Sequence, residues 1–255
     1  MFPVVQVGPL AIQTPGLFLL AGLWFATSLV EKDAARRGLS VDRVSGMILW
    51  SILAGVIGAR LWYAVRFLDV YLQNPLSLLS LNPATLAVME GMLTGLLVAF
   101  IYGQRKQLPL WLTLDALSTG LAMMALALAF SHLASGDAFG APTSVPWGIE
   151  LWGAKRHPSQ VYAILLNGGV LLFMLRLHRS DLNPGAPFLV WVMLMALGRL
   201  FLEAFRGDSQ IWLDSIRSAQ ILSLMLLILA GWGLHLRSRS GEQLAHTDTH
   251  DRPAE

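Results

Sequence analysis

The stretch "PFLVWVMLMALGRLFLEAFRGD", residues 187–208, decides the class of fold. An uninterrupted apolar run from Pro187 to Gly198 is followed by Arg199, Glu203 and Arg206. Because a helix needs about 20 mostly apolar residues to cross the hydrocarbon core, this stretch predicts a membrane helix with charges at one end. Charged side chains at such a depth are costly, and they usually mark a functional site.

The composition of the whole chain indicates the same class. Of its 255 residues, 55% are hydrophobic and only 13% are charged, a balance typical of membrane proteins. The chain has no cysteine, which excludes a disulfide framework and a cysteine-ligated metal site. The histidines lack the spacing of metal ligands, and no phosphate loop or long basic tract occurs. We therefore expect no metal site and no nucleic-acid partner.

Seven apolar runs are long enough to predict a bundle of about seven transmembrane helices. They cover residues 16–31, 44–66, 84–103, 109–133, 160–177, 186–205 and 217–236. We expect an all-α membrane protein with one bundle over residues 1–240, an outer loop at 135–160 and a disordered cytoplasmic tail at 241–255. The segment 67–83 is apolar but broken by prolines, so we expect it to lie in the membrane interface.

Lysine and arginine are concentrated in alternate connections between these spans, which indicates the orientation. The richer side carries Lys32, Arg36, Arg37, Arg43, Arg105, Lys106, Arg176, Arg179, Arg237, Arg239 and Arg252. Since positively charged loops stay in the cytoplasm, the N-terminus is predicted outside and the C-terminus in the cytoplasm.

Arg199 and Glu203 are four residues apart and share one helix face, which Arg206 continues. Two guanidinium groups at headgroup depth suit a phosphate, since arginine binds phosphate through two parallel hydrogen bonds. The implied ligand is an anionic phospholipid headgroup. The alternative is an internal ion-pair network, Arg199 with Glu203 and Arg60 with Glu90, that only sets the helix register.

Further polar residues lie near the predicted outer ends of the fourth and fifth spans. His132 and Asp137 end the fourth span, and His157 and Gln160 open the fifth. Each histidine could instead cap a helix or bind a loop carbonyl. Asp115, near the cytoplasmic start of the fourth span, is expected to be a helix N-terminal or packing residue.

Several stretches, taken in order, resemble the prolipoprotein diacylglyceryl transferase family of bacterial membrane enzymes. They are "GARLWYAV" (58–65), "GAPTSVPWGIEL" (140–151), "RHPSQVYAIL" (156–165), "GRLFLEAFRGD" (198–208) and "SAQILSL" (218–224). The resemblance runs from about residue 3 to 236. It implies transfer of the diacylglyceryl group of phosphatidylglycerol to the lipobox cysteine thiol of a prolipoprotein signal peptide, in the bacterial cytoplasmic (inner) membrane and without a cofactor.

The resemblance, together with the positions of the polar residues in this chain, indicates the site residues. The catalytic candidates are His132 and Glu203. The substrate-binding candidates are Arg60, Glu90, Asp137, Gly140, His157, Gln160, Arg199 and Arg206. The reaction needs a base that produces a thiolate and cations that stabilise the departing phosphate.

The chain departs from the family pattern at several of these positions. The signature arginine, asparagine and glutamate are replaced by Ala129, His132 and Asp137, and a family histidine is replaced by Glu90. His132 could supply the base, because an imidazole titrates near neutral pH. These changes leave an alternative open, a non-catalytic paralogue that binds anionic phospholipid or lipoprotein signal helices. A carrier is a weaker alternative, since no inverted repeat is visible.

Overall fold

A computed structural model describes residues 4–7, 10–80, 82, 85–177, 182–208, 211–212 and 216–250, and these residues are mostly helical. The helices are α1 (Thr14–Arg36), α2 (Val41–Arg66), α3 (Leu68–Gln73), α4 (Val88–Arg105), α5 (Leu110–Ser135), α6 (Ser159–Leu177), α7 (Ala186–Glu203) and α8 (Ser218–His250). A short 3-10 helix, Pro75–Leu79, follows α3 within the segment that was expected to lie in the interface.

Three short antiparallel hairpins accompany the helices among the described residues. Strands β1 (Val4–Val7) and β2 (Leu10–Gln13) precede α1, with Val5 opposite Ile12. The other pairs are β3 (Ile149–Leu151) with β4 (Ala154–Arg156), and β5 (Ile211–Trp212) with β6 (Ile216–Arg217). The spans are therefore helical as predicted, and the connections add a small amount of strand.

Six described helices are long and apolar enough to cross a membrane, namely α1, α2, α5, α6, α7 and α8 up to Ser238. Helix α4 corresponds to the predicted span at 84–103 but is not among the six. Glu90 in its first turn, with Gln104 and Arg105 in its last, lowers the mean hydropathy of this short helix. Large apolar side chains such as Leu20, Trp24 and Ile228 lie exposed, as contact with lipid tails requires.

The backbone of α8 is helical as far as His250, within the segment for which the sequence predicted disorder. Residues 251–255 lie outside the described part of the chain. The single bundle over 1–240 and the disordered tail stay predictions.

The chain divides into two compact units, one formed by Met1–Asp33 with Leu114–Glu255 and the other by Ala34–Thr113. In the second unit α2 packs closely on α4. A Cβ atom added to Gly91 would lie 2.6 Å from the carbonyl oxygen of Gly55 and 2.5 Å from the Cβ of Ala59. Only glycine permits this approach, which is the way in which small residues bring membrane helices together.

In the first unit, Met174 of α6 and Ala122 of α5 are completely buried and pack against α7. The buried carboxylate of Asp115 accepts hydrogen bonds from the backbone N–H groups of Gly185 (2.7 Å) and Phe188 (3.0 Å). A carboxylate at the first turn satisfies donors that have no partner within the helix. Asp115 is therefore a buried packing residue, one of the two predicted roles, and it satisfies donors of the first turn of α7 rather than lying at the N-terminus of its own helix.

Candidate active site

Helices α5, α6 and α7 enclose a cavity of about 140 Å³ in the first unit. A single water needs about 10–15 Å³ by such a measure, so the cavity can hold a larger polar group. Its polar lining comes from His132, Ser159, Gln160, Asn167, Arg199 and Arg206. The structure thus brings together four residues that the sequence singled out, namely His132, Gln160, Arg199 and Arg206.

The first two residues of α6 hold one wall of the cavity in place. The hydroxyl of Ser159 donates a hydrogen bond to the carbonyl of Ala138 (2.6 Å), and Nε2 of Gln160 donates to the carbonyl of Asp137 (3.0 Å). These bonds fasten a turn in which Gly136 and Ala138 have positive φ angles of 86° and 54°. The turn that follows α5 is thereby fixed to the start of α6.

The guanidinium of Arg199 is the cation of the site that is most available to bind an anion. Its Nε lies 3.3 Å from Oε2 of Glu203, which is an ion pair without hydrogen-bond geometry. Its guanidinium makes no hydrogen bond with any described residue, and the side chain is 46% exposed. The N–H groups of Arg199 can therefore bind an anion, and the buried Glu203, which does not line the cavity, can orient them.

Arg206 lines the same cavity, but two of its three side-chain nitrogens bind a carboxylate. Its Nε and Nη2 bind the two carboxylate oxygens of Asp208 at 2.9 and 2.7 Å. The side chain of Arg206 is also the less exposed of the two, at 17% against 46% for Arg199. Sequence reasoning missed Asp208, although a carboxylate two residues after an arginine is a visible signal.

His132 projects from α5 into the cavity wall, and its imidazole makes no hydrogen bond with any described residue. The alternative that this ring caps a helix or binds a loop carbonyl therefore does not hold within the described chain. The charged groups that act on it electrostatically are Arg206, Asp137, Asp208 and Arg199. An imidazole without a partner can accept a proton from a group bound in the cavity.

Asp137 and Gly140 do not line the cavity, and their contacts are structural. The carboxylate of Asp137 accepts a hydrogen bond from the hydroxyl of Ser135 (2.7 Å). Gly140 forms an antiparallel bridge with Arg206, and an added Cβ would lie 2.1 Å from the carbonyl oxygen of His157. Glycine is needed there because two backbone segments come into direct contact.

His157 lies in a separate, open pocket of about 630 Å³, not in the cavity. Its Nδ1 is 3.5 Å from the hydroxyl of Tyr162, which accepts a hydrogen bond from Nε1 of Trp147 at 2.7 Å. The ring of Phe205 packs edge-on against the imidazole, with centroids 5.3 Å apart. Leu166 lines both the pocket and the cavity, so the two are neighbours.

Arg60 and Glu90 belong to the unit Ala34–Thr113. The alternative in which they form an ion pair with each other is wrong, because each has other partners. The buried guanidinium of Arg60 is surrounded by backbone carbonyl oxygens of the segment after α3. The acceptors are the carbonyls of Ser77, Leu78, Ser80, Asn82 and Thr85, with the hydroxyl of Thr85. Glu90 instead pairs with Arg66. Arg60 thus holds its own segment and has no donor left for a substrate.

Asn167 was not singled out from the sequence, yet it lines the cavity seven residues after Gln160. It is 8% exposed, and its Nδ2 donates a hydrogen bond to the carbonyl of Ala125 (3.4 Å). An asparagine inside an otherwise apolar span, two helical turns from Gln160, was a signal that could have found it.

Comparisons with known proteins agree with the sequence resemblance. A sequence profile of the family described as prolipoprotein diacylglyceryl transferase matches residues 3–236. The chain is 28% identical over 213 residues to a protein of Clostridioides difficile (strain 630), covering 84% of this chain and 86% of that protein. It is 26% identical over 247 residues to a protein of Synechococcus elongatus, covering 91% and 85%. It is 29% identical over 239 residues to a protein of Limosilactobacillus reuteri, covering 88% and 86%. Each of the three is named phosphatidylglycerol–prolipoprotein diacylglyceryl transferase.

Proposed function

The chain belongs to the prolipoprotein diacylglyceryl transferase family, and we propose that it transfers the diacylglyceryl group of phosphatidylglycerol to the lipobox cysteine of prolipoproteins. In this reaction a carbon–sulfur bond forms and the carbon–oxygen bond to the phosphate breaks. Glycerol phosphate departs with the bonding electrons, and the thiol proton passes to a base. The names of the relatives, which specify both substrates, support the proposal.

The observation that carries the proposal is the state of Arg199. Of the three arginines with a candidate role in substrate binding, Arg60 is engaged by carbonyl oxygens and Arg206 by a carboxylate. Arg199 alone makes no hydrogen bond with a described residue, and it borders a cavity of suitable size. A free guanidinium can bind the phosphate through two parallel bonds and stabilise the charge that develops as glycerol phosphate departs.

His132 is the base in this scheme. Its imidazole lines the cavity without a hydrogen-bond partner among the described residues, so one ring nitrogen can accept the thiol proton. Glu203 acts through Arg199 rather than on the substrate, because it is buried and does not line the cavity. Without Glu203 the guanidinium of Arg199 would lose the charge that restrains its Nε.

The six apolar helices and the family make the chain a multi-pass membrane protein. We further propose that α4 is a seventh span, and that the N-terminus is external and the C-terminus cytoplasmic. The membrane is then the bacterial cytoplasmic (inner) membrane. The distribution of lysine and arginine supports this orientation. A reporter fused after Arg239 should be cytoplasmic, and one inserted near Thr143 should be external. The opposite signal at both points would reverse the orientation.

The function is tested by complementation of a transferase-depleted bacterium with this chain. The same purified chain, in nanodiscs that contain phosphatidylglycerol, is incubated with a lipobox peptide, and mass spectrometry measures the diacylglyceryl thioether. We expect product with wild type, no product with Arg199→Ala, and near wild-type product with Arg105→Ala. The last variant removes one exposed positive charge at the end of α4 and serves as the matched control.

A second candidate function follows from the wall of the cavity near Ala129, where the chain has no charge although the family signature has an arginine. A non-catalytic paralogue would bind anionic phospholipid, phosphatidylglycerol or another, or a lipoprotein signal helix without turnover. Normal membrane expression and lipid binding with no thioether product and no complementation would favour this candidate and contradict the transferase.

A further inference from the structure

Helix α6 presents two side-chain amides to the cavity, Gln160 and Asn167. They are seven residues apart, so about two helical turns separate them on one face. Both are largely buried, with 1% and 8% of each residue exposed. Neither amide is explained by the roles of Arg199 and His132 in the proposed reaction.

The orientation of both amides follows from their partners. Nε2 of Gln160 donates to the carbonyl of Asp137, and Nδ2 of Asn167 donates to the carbonyl of Ala125. Because a carbonyl oxygen can only accept, the amide nitrogen must face it and the amide oxygen must point elsewhere. Oε1 of Gln160 is fully buried and has no hydrogen-bond partner among the described residues. Oδ1 of Asn167 also has no hydrogen bond with a described residue.

A buried acceptor without a partner is costly, by about 1–3 kcal/mol, unless a ligand or water supplies a donor. The cavity therefore offers two kinds of group. Helix α7 contributes the guanidinium donors of Arg199, which suit an anion, and α6 contributes amide oxygens, which suit hydroxyl groups. A ligand that satisfies both carries a phosphate and, close to it, free hydroxyls.

We infer that Gln160 and Asn167 accept hydrogen bonds from the hydroxyl groups of a glycerol phosphate ester and thereby select the lipid donor. This inference rests on the proposed function, because it deepens the role of the same cavity. The lipid headgroup and free glycerol phosphate share this chemistry. A phospholipid whose phosphate carries no hydroxylated group would leave both amide oxygens without a partner.

The test compares two lipids of equal charge, phosphatidylglycerol and phosphatidylmethanol, which differ in the headgroup hydroxyls. Their affinities for the purified chain in detergent are measured, and the ratio is the readout. We expect wild type to prefer phosphatidylglycerol by about tenfold for each satisfied buried acceptor, or about 100-fold for the two together. Gln160→Leu and Asn167→Leu should each lower this ratio. Arg199→Ala should weaken the binding of both lipids by the same factor. Met195→Leu, a volume-conserving change in the cavity wall, should leave the ratio of the two affinities unchanged.

The readout is the ratio of the two affinities, because a general structural defect weakens the binding of both lipids and leaves their ratio unaltered. Asn167→Leu keeps the bond of Gln160 to Asp137, so the test stands even where Gln160→Leu fails to fold. Equal affinity of wild type for the two lipids, or an unchanged ratio in Asn167→Leu, would overturn the inference and leave the proposed function intact. Binding of neither lipid would instead refute the proposed function.

A competition arm separates the two sources of the ester. Free glycerol phosphate should displace labelled phosphatidylglycerol only at a large excess, because it lacks the acyl chains. Displacement at equimolar concentration would assign the site to the free ester and overturn selection of a lipid.

Discussion

Replacement of Arg199 is the perturbation with the most definite expected outcome. The guanidinium borders the cavity, makes no hydrogen bond with a described residue and is paired only through Nε with Glu203. Its terminal nitrogens are thus free to form two parallel bonds with a phosphate. Arg199→Ala removes both bonds, whereas Arg199→Lys keeps the charge and loses the planar fork.

The size of the effect follows from the environment of the side chain. A hydrogen bond to a charged group contributes about 1.5–3 kcal/mol, and two such bonds would contribute about 3–6 kcal/mol in a buried site. Because 46% of the side chain of Arg199 is exposed, we take about half of this range, roughly 1.5–3 kcal/mol. Arg199→Ala should therefore weaken phosphatidylglycerol binding about 12-fold to 150-fold, and Arg199→Lys should weaken it less, because the charge is kept.

The assay is a titration of the purified protein in detergent with phosphatidylglycerol, at fixed ionic strength. Thermal unfolding of each variant shows whether it is folded, and Arg105→Ala is the matched control that removes one distant charge. If folded Arg199→Ala binds the lipid as tightly as wild type, the ion pair with Glu203 is purely structural and the reasoning is refuted.

Three further predictions concern the neighbouring groups. Asp208→Asn should release the guanidinium of Arg206 and tighten phosphatidylglycerol binding up to about tenfold in the same titration, so that weaker binding would contradict a competing carboxylate. Arg60→Met should destabilise the protein by at least about 3 kcal/mol, because it leaves several carbonyl oxygens without donors, whereas Glu90→Gln should cost less than about 1 kcal/mol. Thermal unfolding in detergent measures both, and equal effects would show that the carbonyl contacts of Arg60 do not matter. Gly140→Ala should abolish folding or lipid binding, since its new methyl group meets the carbonyl of His157, while Gly168→Ala, with no neighbour within 4 Å, should be neutral. A well-folded, binding-competent Gly140→Ala would show that the loop can move aside.

The membrane class and the positions of most helices could be predicted because both depend on local composition. Apolar runs with polar breaks predicted helices α1, α2 and α4–α7 to within five residues, whereas α8 continues to His250, well past the predicted end at residue 236. The face shared by Arg199 and Glu203 was equally predictable, because residues four apart on a helix are neighbours whatever surrounds them. The hairpins were less visible, because their strands are only two to four residues long.

The tertiary structure alone decided which of the polar residues are available for chemistry. Arg60, Arg199 and Arg206 look equivalent as cations near the ends of apolar runs, yet only Arg199 makes no hydrogen bond with a described residue. Their partners are set by how loops and helices approach one another, and that approach depends on contacts between residues distant in the chain. For the same reason Glu90 pairs with Arg66 rather than with Arg60, and His157 faces an aromatic pocket rather than the cavity. Sequence patterns place a side chain on a helix face, but packing determines which atoms meet it there.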